Sequence, residues 1–470
     1  MDTTKTFVDR ENQEQEIGSL KSIRDYYISG ITRPYAFRMQ RLLALKNIVL
    51  KYEKEISLAL YSDLKKSPEE TYAAETGLVL ADINLALKNL HQWMRPRKTA
   101  TNLVNFRSSS TIYQDPKGVV LIISPWNYPF QLLFIPLVGA IAAGNCVVLK
   151  PSELSPATAS IMEKIIKEIF PPEYIRIIPG DGSVIVHALI NSFRFDHIFY
   201  TGSIPVGKII YKMAAEALIP VTLELGGKSP AVVEKDANIR IAARRIAEGK
   251  FINAGQTCVA PDYLLVHEKL RDKFMGELNR TIRNFFGENP AVSQSYGKII
   301  SEKRFDVLTS YLSEGRIVHG GQHDRSALFI APTIMDNIST DSVLMKEEIF
   351  GPILPVFSFT NMQEALDIIQ LNPNPLSFYV FTADPAKEKA WIAKLPFGNG
   401  CVNNAAWQFA NHHLPFGGIG NSGIGAYHGR FSFDIFSHAK PVMKTYSWPD
   451  LNIKYPPFTG KLKWFKLFMR

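Results

Sequence analysis

Two side chains that could share covalent chemistry lie in residues 221–263. Glu224 stands next to the glycine pair 226–227, and Cys258 ends the run Asn-Ala-Gly-Gln-Thr-Cys. A thiolate is a competent nucleophile, and a carboxylate of suitable pKa can activate water. An isolated cysteine is more often a buried structural residue. The small polar residues 255–257 favour a reactive thiol, but they do not decide between the two interpretations.

The segment between these two side chains has a regular pattern. Apolar residues recur at roughly helical spacing over 239–252, which predicts a helix. The run VTLEL before it is β-prone and ends at the carboxylate. The sequence therefore predicts a strand that ends near Glu224, a loop, a helix, and a second loop that carries Cys258.

The composition is that of an ordinary globular protein with two or three domains. The chain has 470 residues, of which 46% are hydrophobic and 21% are charged. Its three cysteines, Cys146, Cys258 and Cys401, are far apart and have neither disulfide nor zinc spacing, which indicates a reducing, cytoplasmic location. Residues 1–25 are polar and lack the apolar region of a secretory signal.

Neither nucleic acid nor a metal ion is an expected partner. The net charge is +9, but lysine and arginine are spread along the body of the chain without interleaved exposed aromatics. The histidines at 412, 413, 428 and 438 have no metal-ligand spacing with carboxylates, so they are interpreted as loop and core residues.

The first part of the chain is predicted to be helical. Apolar residues recur three and four apart over 15–95, with a helix start at Ser67 and a stop at Pro96. The charged faces of these helices are expected to be solvated. Residues 99–114 are short, β-prone and broken by three serines, which predicts an extended hairpin outside the main sheet.

Strands then alternate with helices, which predicts a parallel, doubly wound sheet. The predicted strands are GVVLIIS, CVVLK, YIRIIPG, DHIFYTG and VTLEL, with helices over FQLLFIPLVGAIAAG and over 156–170, 183–191 and 206–217. The apolar length of 130–149 approaches that of a membrane span. The proline-bracketed turn before it and the Gly144-Asn145 break within it favour a buried βαβ unit instead.

A second alternation follows Cys258. Its predicted strands are YLLVHE, FIAPTIMD, LPVFSF, SFYVFT and CVNN, with helices over 269–286, 301–314, 362–371 and 385–395. The fold class is therefore α/β, with two doubly wound domains (a Rossmann-like cofactor domain and a catalytic domain) and a small β extension. Glu224 and Cys258 fall at the junction, where ligand sites tend to form.

A candidate anion site follows the strand DHIFYTG. Gly202 to Lys208 matches GxxxxGK, but Ile209 replaces the required Ser or Thr and Pro205 removes a backbone N–H, so a P-loop is rejected. The turn at Gly202 and Ser203 still lies at a helix N-terminus, which suits the pyrophosphate of a dinucleotide.

Two further sites have a functional and a structural interpretation. Lys150 and Glu153 follow the carboxyl end of a strand and could hold ribose hydroxyls, whereas a capping box from Ser152 or Ser155 would be purely structural. Asn127 could donate its amide N–H to an oxyanion, or it could be an ordinary turn asparagine.

Seven motifs in order along nearly the whole chain resemble the aldehyde dehydrogenase superfamily. They are PWNYP at 125–129, KPSE at 150–153, TGS at 201–203, LELGGKSP at 223–230, GQTC at 255–258, EEIFGP at 347–352 and PFGGIGNSGIG at 415–425. The short N-terminus and the runs GQTCVAPDY and GNSGIGAYHG are similar to the class 3 and fatty-aldehyde branch.

The resemblance implies a catalytic role for three residues. Cys258 would be the nucleophile that forms a thiohemiacetal and then a thioester. The side-chain amide of Asn127 and the backbone N–H at Cys258 would hold the oxyanion, and Glu224 would activate the water that hydrolyses the thioester. CoA-acylating relatives generally lack the equivalent of Glu224, so its presence favours hydrolysis. A CoA-acylating enzyme and a non-catalytic structural protein on the same fold are the alternatives.

The resemblance also implies a nicotinamide cofactor. The cofactor-binding residues would be Lys150 and Glu153 at the adenine ribose, Gly202 and Ser203 at the pyrophosphate, and Glu348 and Phe350 at the nicotinamide end. Glu153 would repel a 2′-phosphate, so NAD is expected, although the branch also includes enzymes that use NADP. No metal is implied.

The domain boundaries and partners follow from the same resemblance. The expected division is 1–98 with 115–224 for the NAD-binding domain, 225–412 for the catalytic domain, 99–114 with 426–450 for bridging β segments, and 451–470 for the tail. The expected partners are a medium- or long-chain aliphatic or aromatic aldehyde and a second copy of the chain. The tail LKWFKLFMR would either make weak peripheral contact with an anionic membrane or pack on the protein.

Overall fold

A six-stranded sheet forms the core of the first half of the molecule. The computed structural model describes residues 20–450 and 452–469, so the predicted helical residues 15–19 lie outside the described part. Every strand of this sheet is parallel to its neighbour except the short edge strand. Across the sheet the strands are Gly423–Ile424, Val221–Glu224, His197–Thr201, Val119–Ile123, Cys146–Lys150 and Ile175–Ile177.

A seven-stranded sheet forms the core of the second half. Its strands are parallel apart from one antiparallel edge strand, Arg316–His319. In order, they are Arg316–His319, Thr333–Asp336, Ile353–Phe359, Tyr263–His267, Pro230–Val233, Ser377–Phe381 and Asn399–Val402. Two parallel sheets with helices between their strands confirm the predicted fold class.

Two small antiparallel sheets complete the strands. Arg97–Thr99 and Ser108–Pro116 form the predicted hairpin outside the main sheets, and Ser437–Thr445 joins it as a third strand, with Ser437 opposite Pro116 and Thr445 opposite Ser108. A separate two-stranded ribbon pairs His323–Asp324 with Phe329–Ile330.

Helices cover the sheets and form the N-terminal layer. The α-helices are Leu20–Ile28, Tyr35–Lys51, Glu53–Leu64, Pro68–Thr71, Gly77–Met94, Pro129–Ala143, Pro156–Ile169, Gly182–Ser192, Ile204–Glu216, Ile239–Phe251, Arg271–Phe286, Glu302–Ser310, Val343–Lys346, Met362–Gln370, Pro385–Lys394, Arg430–Ile435 and Leu462–Phe468. A π-helical turn, Tyr72–Thr76, lies between two of them. The helix Pro129–Ala143 is buried along its whole length, as its uniformly apolar sequence predicts.

Several local features differ from the sequence prediction. The strands Pro230–Val233, Arg316–His319 and Gly423–Ile424 were not predicted, because each has at most four residues and a weak alternating pattern. The predicted helix 301–314 ends at Ser310 and continues as the 3₁₀ turn Tyr311–Ser313.

The expectation that the charged faces of the N-terminal layer are solvated is wrong for part of that layer. Lys66 and Glu75 have no exposed side-chain surface, and they pair with each other in the interior. The helix start at Ser67 is confirmed, since the Ser67 hydroxyl accepts a hydrogen bond from the backbone N–H of Glu70 at 3.1 Å.

The tail forms the short helix Leu462–Phe468, which exposes Leu462, Trp464 and Leu467. The Phe458 and Phe465 rings contact each other at 5.9 Å between centroids. Across the described residues, every helix is too short or too polar to span a bilayer.

Candidate active site

The loop that carries the thiol begins with strained backbone. Helix Ile239–Phe251 is followed by Asn253 and Ala254, which have φ of 52° and 51°, and by Gly255 at 73°. A β-carbon on Gly255 would lie 2.2 Å from the carbonyl oxygen of Gly351, so glycine is required for this close approach. Such strain persists only where the surroundings fix it, and it is common at functional sites.

Gln256 fixes this loop from inside. Its Nε2 donates hydrogen bonds to the carbonyls of Asn253 at 3.0 Å and Lys298 at 2.9 Å. Its Oε1 accepts from the backbone N–H of Ile300 at 3.0 Å. The fully buried amide therefore uses both of its ends, and the backbone two residues before Cys258 is held rigidly.

A cavity of about 700 Å³ opens beside Cys258, between the two large sheets. All of the predicted site residues except Lys150 and Glu153 line it. Its walls are formed by Pro125, Trp126, Asn127, Tyr128, Gln131, Leu132, Thr201, Gly202, Ser203, Ile204, Pro205, Glu224, Leu225, Gly226, Thr257, Cys258, Val259, Arg304, Lys346, Glu347, Glu348, Phe350, Leu376, Phe409, Phe416, Tyr427 and His428. The Cys258 thiol, the Asn127 amide and the Glu224 carboxyl group therefore line the same cavity.

The Cys258 thiol is half-buried. Burial, followed by the carboxylates of Glu348 and Glu224, raises the pKa of Cys258 to about 12. The backbone N–H groups of Cys258 and Val259 donate toward the sulfur and partly oppose that rise. At neutral pH a thiol with this pKa is almost entirely protonated.

This pKa predicts how the thiol reacts with a simple alkylating agent. In a background with Cys146 and Cys401 replaced by serine, the rate of Cys258 alkylation by iodoacetamide should rise about tenfold per pH unit from pH 7 to 10, because the thiolate is the reactive form. Mass spectrometry of the modified peptide measures that rate. A plateau below pH 8 would show an ionised thiol and contradict the prediction.

Glu224 is a buried carboxyl group without a hydrogen-bond partner. It ends the strand Val221–Glu224, is 3% exposed, and neither carboxyl oxygen has a partner among the described residues. Burial raises its pKa well above the ordinary value. Burying a carboxyl group without a hydrogen-bond partner costs free energy, which makes Glu224 a candidate functional residue. A general base or acid that works near neutral pH needs a raised pKa of this kind.

Asn127 is held so that one amide hydrogen stays available. It is 2% exposed, and its Nδ2 donates to the carbonyl of Gln256 at 3.0 Å. An asparagine amide has two N–H donors, so the second can serve an oxyanion in the cavity. The neighbouring Tyr128 hydroxyl bonds the Thr257 hydroxyl at 2.7 Å, which joins the same two segments again.

The Glu348 carboxyl group lies directly against Gly226. A β-carbon on Gly226 would lie 1.9 Å from its Oε2, so only glycine allows this carboxyl position. Burial, then the charge of Asp262, raises the pKa of Glu348 to about 8. Phe350 follows with φ of 45°, and its ring meets the Trp126 ring edge-on at 5.4 Å.

A buried cation anchors the loop that carries these two residues. Lys228 forms an ion pair with Asp262 and donates to the carbonyls of Leu344 at 2.7 Å and Glu347 at 2.8 Å. Asp262 also accepts from the backbone N–H of Ile349 at 3.1 Å. The motif lysine is therefore structural, and it connects the loop to the seven-stranded sheet.

Lys150 and Glu153 lie together at the carboxyl end of their strand, outside the cavity lining. Lys150 is 1% exposed, its Nζ lies 3.4 Å from Glu153 Oε2, and burial lowers its pKa. Ser155 occupies the N-cap position of the next helix but makes no capping bond. Asp63 caps that helix instead, accepting from the backbone N–H of Thr158 at 2.8 Å, so the capping-box alternative is wrong.

Ser203 lies at a helix N-terminus that borders the cavity. Ser203 is the N-cap of the 13-residue helix Ile204–Glu216, and its side chain makes no capping bond, so the N–H groups of the first turn, which Pro205 lacks, have no acceptor from it. Lys150 supplies a buried cation and Glu153 an exposed carboxylate toward the helix Gly182–Ser192. A helix N-terminus at the end of a parallel strand binds anions.

Sequence reasoning missed several residues of this site. Lys66 and Glu75 contact the turn that carries Asn127, and neither residue type is usually buried. Phe416, Tyr427 and His428 line the cavity from a loop of the second half, and the His428 ring stacks on Phe416 at 5.1 Å. Burial lowers the pKa of His428 to about 3, so it stays neutral. In the described part of the chain, no cluster of His, Cys, Asp or Glu could hold a metal ion.

Sequence comparison places this geometry in a known family. A profile of the aldehyde dehydrogenase family matches residues 32–442. The chain is 45% identical over 441 residues to 4,4'-diaponeurosporen-aldehyde dehydrogenase of Staphylococcus aureus, covering 93% of this chain and 96% of that protein. It is 42% identical over 450 residues to aldehyde dehydrogenase family 3 member H1 of Arabidopsis thaliana, covering 94% and 93% respectively. The predicted likeness to the class 3 branch is thereby confirmed.

Solved structures agree. The substrate-bound state of Staphylococcus aureus AldH matches with a TM-score of 0.94 and 44% identity, covering 97% of this chain and 99% of that chain. Indole-3-acetaldehyde dehydrogenase in complex with NAD+ matches with a TM-score of 0.84 and 27% identity, over 92% of this chain and 89% of that one. Glyceraldehyde-3-phosphate dehydrogenase GapN of Methanocaldococcus jannaschii DSM 2661, in complex with NADP, matches with 0.82 and 25%, over 92% and 95%. The chain belongs to the aldehyde dehydrogenase family and is an NAD(P)-dependent oxidoreductase that acts on the aldehyde group.

Proposed function

We propose that this enzyme oxidises medium- or long-chain aliphatic or aromatic aldehydes to carboxylic acids through a thioester on Cys258. The observation that supports it most strongly is the meeting of three groups on one cavity: the Cys258 thiol, the Asn127 amide and the unpartnered Glu224 carboxyl. Each of the three has a chemical task in that reaction, and each lies on a different segment of the chain.

Acyl formation uses the thiol and the oxyanion donors. An aldehyde carbon cannot release hydride directly to give an acid, so a tetrahedral adduct must form first. The Cys258 thiol loses its proton to solvent and its sulfur adds to that carbon. The charge that develops on oxygen would be held by Asn127 Nδ2 and the backbone N–H at Cys258. A bound NAD would supply the acceptor for the hydride that leaves this adduct.

Hydrolysis uses Glu224. In its carboxylate form Glu224 removes a proton from water as the water oxygen attacks the thioester carbon. The C–S bond then breaks, which releases the acid, and the Cys258 thiolate takes the proton back from Glu224. The raised pKa of Glu224 makes its carboxylate a stronger base than an ordinary glutamate. The presence of Glu224 favours hydrolysis over the CoA-acylating alternative.

The cofactor would be held at the carboxyl ends of the strands of the six-stranded sheet. We assign Lys150 and Glu153 to the adenine ribose, Gly202 and Ser203 to the pyrophosphate, and Glu348 with Phe350 to the nicotinamide end. The exposed Glu153 carboxylate would repel a 2′-phosphate, so NAD is the preferred cofactor in this proposal.

The domain division is proposed as the sequence suggests. Residues 1–98 with 115–224 form the cofactor domain, 225–412 form the catalytic domain, and 99–114 with 426–450 form bridging segments. The three-stranded sheet supports the last assignment, because it joins Ser108–Pro116 to Ser437–Thr445 outside both large sheets.

Two partner proposals concern the surface. The strand Ser437–Thr445 is exposed along almost its whole length, which suits pairing with a second copy of the chain. The tail helix places Leu462, Trp464 and Leu467 beside Lys463 and Lys466, which suits weak contact with an anionic membrane. Co-sedimentation with anionic liposomes, with and without residues 460–470, separates that contact from packing on the protein.

A panel of straight-chain aldehydes tests the proposed substrate class. The cavity walls include the apolar side chains of Leu132, Val259, Leu376 and Phe409. Each buried methylene contributes about 0.8 kcal/mol, so kcat/KM with NAD should rise about fourfold per added carbon until the cavity is filled. NADH absorbance measures the rate, and NADP in place of NAD should lower kcat/KM.

Two results of that panel would contradict the proposal. A kcat/KM that is flat or falls from two to eight carbons would exclude an apolar acyl site. Acyl-CoA formed in stoichiometric yield when CoA is added would favour the acylating alternative over hydrolysis.

A further inference from the structure

A buried ion pair in the N-terminal layer holds the turn that carries Asn127. Lys66 Nζ lies 2.6 Å from Glu75 Oε1, and both side chains are fully buried. The same ammonium donates to the backbone carbonyl of Asn127 at 2.8 Å and lies 3.8 Å from the centre of the Tyr128 ring. Glu75 Oε2 accepts from the backbone N–H of Gln131 at 2.8 Å. One cation and one carboxylate thus fix both ends of the turn.

The thiol loop is attached to the same carbonyl. Asn253 Nδ2 donates to the Asn127 carbonyl at 2.9 Å and to the Gln256 carbonyl at 3.2 Å, and Asn127 Nδ2 also donates to Gln256. From the N-terminal layer, Glu70 Oε1 accepts the backbone N–H of Asn253 at 3.1 Å. The Asn127 carbonyl is therefore shared by Lys66 and the loop that leads to the nucleophile.

We propose that Lys66 is a positioning residue, acting with Glu75 and Glu70, which sets the spacing between the Asn127 amide and the Cys258 loop. Lys66 does not reach the cavity, so it acts through Asn127. The proposal rests on the proposed oxyanion role of Asn127 and extends it to the helical layer.

The local backbone supports a role beyond stability. Glu75 lies inside the π-helical turn Tyr72–Thr76. Such turns are rare overall, and those that occur are often at functional sites. A β-carbon on Gly77 would lie 2.5 Å from the Tyr72 carbonyl oxygen, so glycine accommodates the wide turn. A buried ion pair contributes little net stability compared with apolar residues of similar size. Stability alone therefore does not explain this arrangement.

The first test is a single substitution. Lys66→Met removes the ammonium and keeps an unbranched apolar chain, so the Asn127 carbonyl loses its charged donor. The expected result is that NADH forms 10- to 100-fold more slowly in the first turnover, measured by stopped flow, while KM for the aldehyde changes less than threefold. Lys51→Met is the control, because Lys51 also pairs with a glutamate, Glu168 at 2.5 Å, but on the exposed surface.

A second variant separates positioning from folding. Lys66→Met leaves Glu75 without its cation and is expected to lower the Tm. Lys66→Met with Glu75→Gln removes both charges while retaining an acceptor for Gln131, so it should recover most of the Tm but not the first-turnover rate. Recovery of the rate together with the Tm would overturn the proposal and leave a purely structural ion pair.

A double-mutant cycle identifies the route of the effect. If Lys66 acts through Asn127, then Lys66→Met should slow an Asn127→Ala enzyme by less than threefold more. Multiplicative losses would overturn the positioning role and leave the oxyanion role intact. If Asn127→Ala alone keeps the wild-type first-turnover rate, the oxyanion assignment is wrong and the positioning role falls with it.

Discussion

Alanine in place of Cys258 is expected to abolish NAD-dependent aldehyde oxidation while leaving the fold intact. Without the sulfur no tetrahedral adduct forms, so the loss should be at least about 10⁴-fold in kcat, as for other enzymes that lose their nucleophile. The thiol is half-buried and small, so the free energy of unfolding should change by about 1 kcal/mol or less. NADH absorbance measures turnover, and thermal melting measures the fold.

Cys401 provides the matched control. It is also half-buried, and its thiol donates to Gln408 Oε1 at 3.1 Å, away from the cavity. Cys401→Ala should therefore keep the wild-type rate. Covalent catalysis at Cys258 would be contradicted if Cys258→Ala retained a tenth of the wild-type turnover and did not differ in rate from Cys401→Ala.

Glutamine in place of Glu224 is expected to arrest the enzyme at the thioester. The first NADH should form at nearly the wild-type rate, because the thiol and the oxyanion donors are unchanged. Steady-state turnover should fall by about 10²- to 10⁴-fold, which is the usual contribution of a general base. Stopped-flow absorbance should show a burst of one NADH per site, and mass spectrometry should find the acyl group on Cys258.

The same substitution has a predicted effect on stability. The pKa of Glu224 is raised in the folded protein, so the folded state retains a proton that the unfolded chain loses above its ordinary pKa. Stability from this group is therefore present at low pH and is lost as pH rises. The Tm advantage of Glu224→Gln should grow from pH 5 upward. Glu216→Gln is the control for this stability effect, because Glu216 is exposed. Normal steady-state turnover by Glu224→Gln would exclude the role of Glu224 as a base.

The architecture followed from strong local signals. Buried parallel strands are uniformly apolar, so runs such as Val119–Ile123 and Cys146–Lys150 are recognisable without a partner. Short elements were harder to identify. Pro230–Val233 is an interior strand, the fifth of seven in its sheet. Its four residues nevertheless follow a glycine-rich loop and begin with proline, which in isolation indicates a turn.

The site was predictable where its residues belong to motifs and unpredictable where burial depends on distant contacts. Cys258 and Glu224 stand out by residue type and neighbours. Lys66 and Glu75 do not, because a lysine and a glutamate near helix ends are usually solvated. Only the three-dimensional approach of the helical layer to the Asn127 turn makes them interior residues.

The edge strand Gly423–Ile424 has a consequence for how the enzyme is made. It pairs with the strand that ends at Glu224, placing Gly423 opposite Glu224, and the backbone N–H of Leu225 donates to the Ser422 carbonyl at 3.1 Å. During synthesis the ribosome therefore releases Cys258 and the proposed cofactor contacts before the residues that close this edge emerge. Nascent or truncated chains would carry the thiol without an enclosed carboxyl beside it. We therefore expect the proposed hydrolytic step to become available late in synthesis, once the edge strand has paired.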